Sequence, residues 1–106
     1  MVSYDEFQKL EMRVARVETV EKVDGTDKLY KIVVDTGEKR TIVSSIADQY
    51  TPEELIGTDI IVLTNLDPRE IRGVESNGML LAAEDSAGAV SLLVPVRKIA
   101  PGTKVH

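Results

Sequence analysis

The residues of this chain best suited to chemistry lie in one stretch, Asn65 to Ala83 (NLDPREIRGVESNGMLLAA). Arg69 and Arg72 stand three apart, with Gly73 next. Arginine presents a planar fork of N–H donors that matches phosphate oxygens. Ser76 and Asn77 carry both donors and acceptors, suited to ribose or to base edges. Met79 offers a soft apolar surface for a base or a sugar. Gly73 and Gly78 permit close approach of backbone to a ligand. The expectation is a polar loop on the rim of a fold that binds rather than reacts. The same composition also describes an ordinary solvated loop followed by a core methionine, and composition by itself leaves both open.

Little else in the chain could support catalysis. His106 is the only histidine and the last residue, and there is no cysteine. No zinc-type cluster or Ser-His pair can be assembled from these. Glu53-Glu54 and Glu84-Asp85 are adjacent pairs, the pattern of a solvated helix start and a turn rather than of carboxylates converging in a cleft. Neither a Walker A loop nor G-x-G-x-x-G occurs. No catalytic residue, metal or cofactor is expected. The start, MVSYDEF, has no basic and apolar leader pattern, and no apolar run approaches the roughly 20 residues of a membrane span. These features predict a cytoplasmic protein without a membrane segment, folded as one domain over residues 1–106.

The net charge of −5 opposes binding to nucleic acid, which is driven by lysine and arginine displacing counterions. Its distribution is uneven. Asp5, Glu6, Glu11, Glu18, Glu21 and Asp24 crowd the N-terminal part, whereas Lys28, Lys31, Lys39 and Arg40 face only Asp35 and Glu38. A local positive face is the expectation that the second segment raises.

The elements that must position these residues are mostly strands. Ser3 and Glu6 have capping-box spacing, which predicts a short first helix. Helical periodicity continues through Phe7, Leu10, Val14 and Val17, but the β-branched set Val14, Val17, Thr19, Val20 and Val23 favours a strand from about Met12. Asp24–Asp27 reads as a turn. Tyr30, Ile32 and Val34 share one face of a strand over Leu29–Asp35, and Thr36-Gly37-Glu38 turns into a second strand over Lys39–Ser44. Thr51 as N-cap, Pro52 at the first helical position and Glu53-Glu54 in the first turn predict a short helix ended by Gly57. Asp59–Leu63, Met79–Ala83 and the alternating Val90–Val96 are further strands, with Pro95 at an edge. Lys104-Val105 adds a last pairing. Short strands with a helix between the third and fourth give an all-β OB-fold, a five-stranded barrel with small N- and C-terminal additions.

The chain also resembles the tRNA-binding domain family. That family includes the C-terminal domain of methionyl-tRNA synthetases, free-standing structure-specific tRNA-binding proteins and the endothelial monocyte-activating polypeptide core. The resemblance is carried by Asp27–Tyr30, Val34–Glu38, Arg40–Ser44, Tyr50–Gly57, Asn65-Leu66, Arg72–Ser76 and Gly78–Ala83. It extends from about Phe7 to Val105 and is strongest to the separate beta-subunit form of the methionyl enzyme. It implies non-catalytic recognition of the outer corner of tRNA by shape. Asn65, Arg72, Ser76 and Met79 are the implied RNA-facing residues, with Lys28 and Arg69 as weaker candidates. It further implies a homodimer associated with the synthetase's catalytic chain. Asp67 stands where a basic residue is usual, Asn77 where glutamine is usual, and Ser45 where glycine is usual, which predicts weaker RNA affinity than in a strongly basic relative.

Two other functions compete. Some relatives of similar length are secretion chaperones, so a chaperone-like or protein-interaction module is the alternative. A single-stranded DNA or oligosaccharide site is disfavoured by the scarcity of aromatic stacking platforms, since Tyr30 is expected to pack in a strand or the core. Replacing Ser76 is expected to leave stability nearly unchanged. Met79, at the head of an apolar run, carries the risk of a core residue.

Overall fold

Tyr30, Ile32 and Val34 alternate with Lys31, Val33 and Asp35. In the computed structural model, which describes residues 1–106, the first set points into a barrel and the second stays partly exposed. This strand, β2 (Tyr30–Asp35), pairs antiparallel with β3 (Lys39–Ser44), from Tyr30↔Ser44 to Asp35↔Lys39. On its other side lies the long strand β1 (Met12–Lys22). β1 settles the ambiguity of the N-terminal segment. Only α1 (Tyr4–Gln8) is helical, and its Ser3–Glu6 capping box is present as expected.

A register shift between Val17 and Thr19 bends β1. Such an irregularity increases local twist and lets one strand serve two neighbours. The second half of β1 pairs with β2, while its first half pairs with β4 (Asp59–Leu63), from Met12↔Leu63 to Arg16↔Asp59. At that end Arg16 donates to Asp59 at 2.9 Å, and this hydrogen bond, with the charge of Asp59, raises the Arg16 pKa above its ordinary value.

Six further strands are shorter. β5 (Arg69–Ile71) and β6 (Val74–Ser76) form a hairpin, β7 (Met79–Leu80) pairs with β4, β8 (Ala82–Glu84) pairs with β9 (Val90–Leu92), and β10 (Lys104–Val105) pairs with β1. The principal sheet has the order β3-β2-β1-β4-β7. It curls until β3 meets the segment leading into β7. That seam is closed by Asn77 N–H to Thr41 O at 2.8 Å and by Val43 N–H to Ser76 Oγ at 3.0 Å. The result is the expected all-β, OB-type five-stranded barrel. Between its third and fourth strands lies α2 (Pro52–Leu55), with the predicted Thr51 cap. Leu55 of α2 plugs the core beside Val17, Tyr30, Ile32, Ile42 and Ile60. The Tyr30 hydroxyl, buried with its ring, donates to Tyr50 O at 2.7 Å, as a packing role requires.

Three expectations need correction. The stretch around Arg69 and Arg72 is a β-hairpin rather than a loop. The strand expected over Met79–Ala83 breaks at Leu81, whose N–H still reaches Ile61 O at 3.0 Å before the chain enters β8. The strand expected to run to Val96 stops at Leu92: Leu93 N–H still reaches Leu81 O at 3.0 Å, and Pro95 beyond it has no N–H to extend the ladder.

Candidate nucleic-acid interface

The polar stretch identified from sequence is built on the barrel's seam. Ile71 and Val74 pair across the two-residue turn Arg72-Gly73, with φ of 52° and 81°. Two successive positive φ values make a type I′ turn, which matches the twist of a hairpin. Gly73 therefore serves the turn. Gly78 also has an internal role, because a Cβ there would lie 2.9 Å from Leu63 O and 3.1 Å from Val62 Cγ1. Its missing side chain lets β7 pack against β4, so the expectation of close ligand approach at Gly78 is replaced by a packing requirement.

Beside this hairpin is a cleft of about 360 Å³. Arg69, Ser76 and Met79 line it, together with Leu29, Leu66, Asp67 and Ile71. The structure thus brings three of the predicted residues together, in different roles. Met79 is 47% exposed and offers its side chain to the cleft rather than to the core. Ser76 is 6% exposed, and its hydroxyl both accepts from Val43 N–H and donates to Gly78 O at 3.1 Å. The expectation that its removal leaves stability unchanged is therefore reversed, as is the expected risk at Met79.

The remaining candidates lie around the cleft. Asn65 is exposed, but its amide is occupied: Oδ1 accepts from Glu11 N–H at 2.9 Å and Nδ2 donates to Lys9 O at 2.6 Å. It clamps the segment after α1 to the end of β4 and positions Leu66 and Asp67, which follow it. Arg72 stands at the hairpin tip and lines a separate depression with Glu21, Lys22, Asp24 and Lys31, away from the cleft. Lys28 is exposed and immediately precedes Leu29 of the cleft.

Lys31 pairs with Glu21 at 3.5 Å, Lys39 with Glu18 at 3.6 Å and Arg40 with Glu38 at 3.0 Å. Three of the four cations expected to form a positive face are thus matched by acids, and the uniform positive face does not form. Lys28, Arg69 and Arg72 take part in none of the ion pairs. Arg40 also acts inside the fold, donating to Thr64 O at 3.2 Å and to Asn77 O at 3.0 Å. Sequence reasoning treated it as surface charge, although its two-residue spacing from the buried Ile42 marked it as inward-facing.

Missed as positive site components were Leu29 and Leu66, which give the cleft its apolar walls. Leu66 is 43% exposed at the start of a proline-containing connection. An exposed leucine in such a connection was the available signal.

The OB-type barrel thus carries a rim cleft with an apolar wall and Arg69 on its lining. Its family is set by sequence: residues 12–104 match the family described as "Putative tRNA binding domain", and the chain belongs to that family. It is 53% identical over its whole length to part of a methionine–tRNA ligase of Methanoculleus marisnigri, and 51% identical over 98% of its length to part of that of Archaeoglobus fulgidus. The chain spans 16% of the length of either relative. Among solved structures, a MetRS-related protein from Pyrococcus horikoshii superposes with a TM-score of 0.95 at 45% identity, covering 100% of this chain and 98% of that one. The chaperone CsaA of Bacillus anthracis superposes with a TM-score of 0.90 at 28% identity, covering 100% and 99%.

Proposed function

We propose that this chain binds tRNA through the cleft and the β5–β6 hairpin and performs no chemistry itself. The observation that carries this is the placement of Lys28, Arg69 and Arg72 at or beside the cleft and hairpin, each outside any ion pair, whereas Lys31, Lys39 and Arg40 are paired with acids. Phosphates would engage these three residues, and Met79, Leu29 and Leu66 would pack a sugar or base. Asn65 and Ser76 contribute by holding the surface in shape. Contacts of this kind read the form of a folded RNA more than its sequence.

The module assists a methionyl-tRNA synthetase by raising the local concentration of tRNA near the catalytic chain. The similarity to methionine–tRNA ligases supports this role. It works in the cytoplasm as a homodimer, which would cover the exposed Phe7, Leu10, Val94, Val96 and Ile99. Sedimentation at micromolar concentration tests the dimer, and a monomer would remove it. Filter binding of bulk tRNA over a salt series tests the binding itself. With three to five phosphate contacts, the slope of log affinity against log salt is expected near −2 to −4, about −0.7 for each contact. No binding at low salt would exclude the proposal.

The superposition on the chaperone CsaA favours a second reading, a chaperone-like module that holds unfolded chains on the same exposed apolar residues. Suppression of a client's aggregation, unaffected by added tRNA, would support it over the first.

A further inference from the structure

Asp67 is an acid in a cleft otherwise suited to an anion, and it forms no ion pair with Arg69 or any other cation. Its backbone is held from both sides. Two residues earlier, Asn65 is clamped to the backbone of Lys9 and Glu11, and Pro68 restricts Asp67 to an extended conformation from the other side. An exposed carboxylate lining a half-apolar cleft offers two adjacent acceptors and no donor. A pocket of about 360 Å³ is also within the range that encloses small ligands, roughly 300–1,000 Å³.

Resting on the tRNA-binding function above, we propose that Asp67 makes this cleft selective for an unstacked guanine base. Guanine alone among the four RNA bases presents two neighbouring donors on its Watson–Crick edge, N1–H and the N2 amine, which match the two carboxylate oxygens. Beside them its O6 is an acceptor, for which Arg69 in the same cleft supplies donors. Adenine and cytosine place a ring nitrogen lone pair next to their single amine, and uracil flanks its one N–H with two carbonyls. Each of these sets an acceptor against the carboxylate. Met79 and Leu66 supply the apolar faces on which the base lies. Bases splayed out of loops are read in this manner in sequence-specific RNA recognition. The cleft thus adds a base preference to a surface that otherwise reads shape.

The test uses the full chain and short fluorescent single-stranded RNAs that are identical except for one central guanine, inosine, adenine or uracil. Each competes against bound bulk tRNA. Guanine is expected to compete about tenfold better than adenine or uracil, the size of one good paired contact, with inosine between them because it lacks the N2 amine. Asp67→Asn should weaken the guanine RNA and strengthen the adenine and uracil RNAs, since a charge is removed and a donor gained. Equal competition by all four RNAs, or failure of all four while tRNA still binds, would overturn guanine selectivity and leave tRNA binding intact. Absence of tRNA binding would instead overturn the function beneath it.

Discussion

The hydroxyl of Ser76 accepts the backbone N–H of Val43 at 3.0 Å, joining residues 33 apart in sequence and fastening the barrel where its sheet order ends. Removing it leaves a buried N–H unsatisfied, which costs about 1–3 kcal/mol. Ser76→Ala should therefore lower the unfolding free energy by that amount in a urea titration. Any loss of tRNA affinity should follow from the destabilisation. A variant as stable as the parent but unable to bind would return Ser76 to the RNA-contacting residues.

Met79→Ala should behave in the opposite way. Its side chain is about half exposed and lines the cleft, so truncation forfeits less than the roughly 2–5 kcal/mol of a buried methionine. Thermal unfolding should shift little, while filter binding shows a clear loss of tRNA affinity.

Arg72 occupies the left-handed region at φ 52° in a turn that favours glycine. Arg72→Gly should leave stability unchanged or raise it by up to about 1 kcal/mol, because the contact of a Cβ with the neighbouring carbonyl in this conformation is relieved. The same change should weaken tRNA binding and make the salt slope shallower by about 0.7. Unaltered affinity would exclude the hairpin tip from the interface.

Asn65→Ala breaks both anchors on the segment after α1. Hydrogen exchange at Glu11 should accelerate, and stability should fall by about 1–2 kcal/mol. Selective loss of tRNA affinity with unchanged exchange would show that the amide contacts RNA directly.

Gly78→Ala would force a methyl against Leu63 O and Val62 at a φ of 142°. Overpacking of this kind costs about 1–3 kcal/mol. A lowered melting temperature is expected, and an unchanged one would show that β7 can shift away from β4.

The parts of the fold readable from sequence are those set by neighbours in the chain. Tyr30, Ile32 and Val34 announce a half-buried strand by their period of two, and Thr51-Pro52-Glu53-Glu54 announces α2 by its cap. The hairpin at Arg69–Ser76 escaped notice because each strand has three residues and arginine is not a usual type I′ turn residue. The functions of Ser76, Asn65 and Arg40 were hidden for a different reason. Each meets its decisive partners across the barrel: Ser76 at Val43, Asn65 at Lys9 and Glu11, Arg40 at Thr64 and Asn77. A polar side chain looks the same in sequence whether it closes a seam or greets a ligand.

That seam also sets an order of assembly. β2 and β3 join in a local hairpin, whereas the far side of β3 waits for Ser76 and Asn77, which lie 33 and 36 residues beyond their partners Val43 and Thr41. Non-local closure is slow relative to hairpin formation. Until it happens, β3 presents an open edge that another chain could extend. The same few hydrogen bonds that finish the barrel therefore protect a nascent or partly unfolded molecule from aggregation, and variants at Ser76 should lose soluble yield out of proportion to their loss of equilibrium stability.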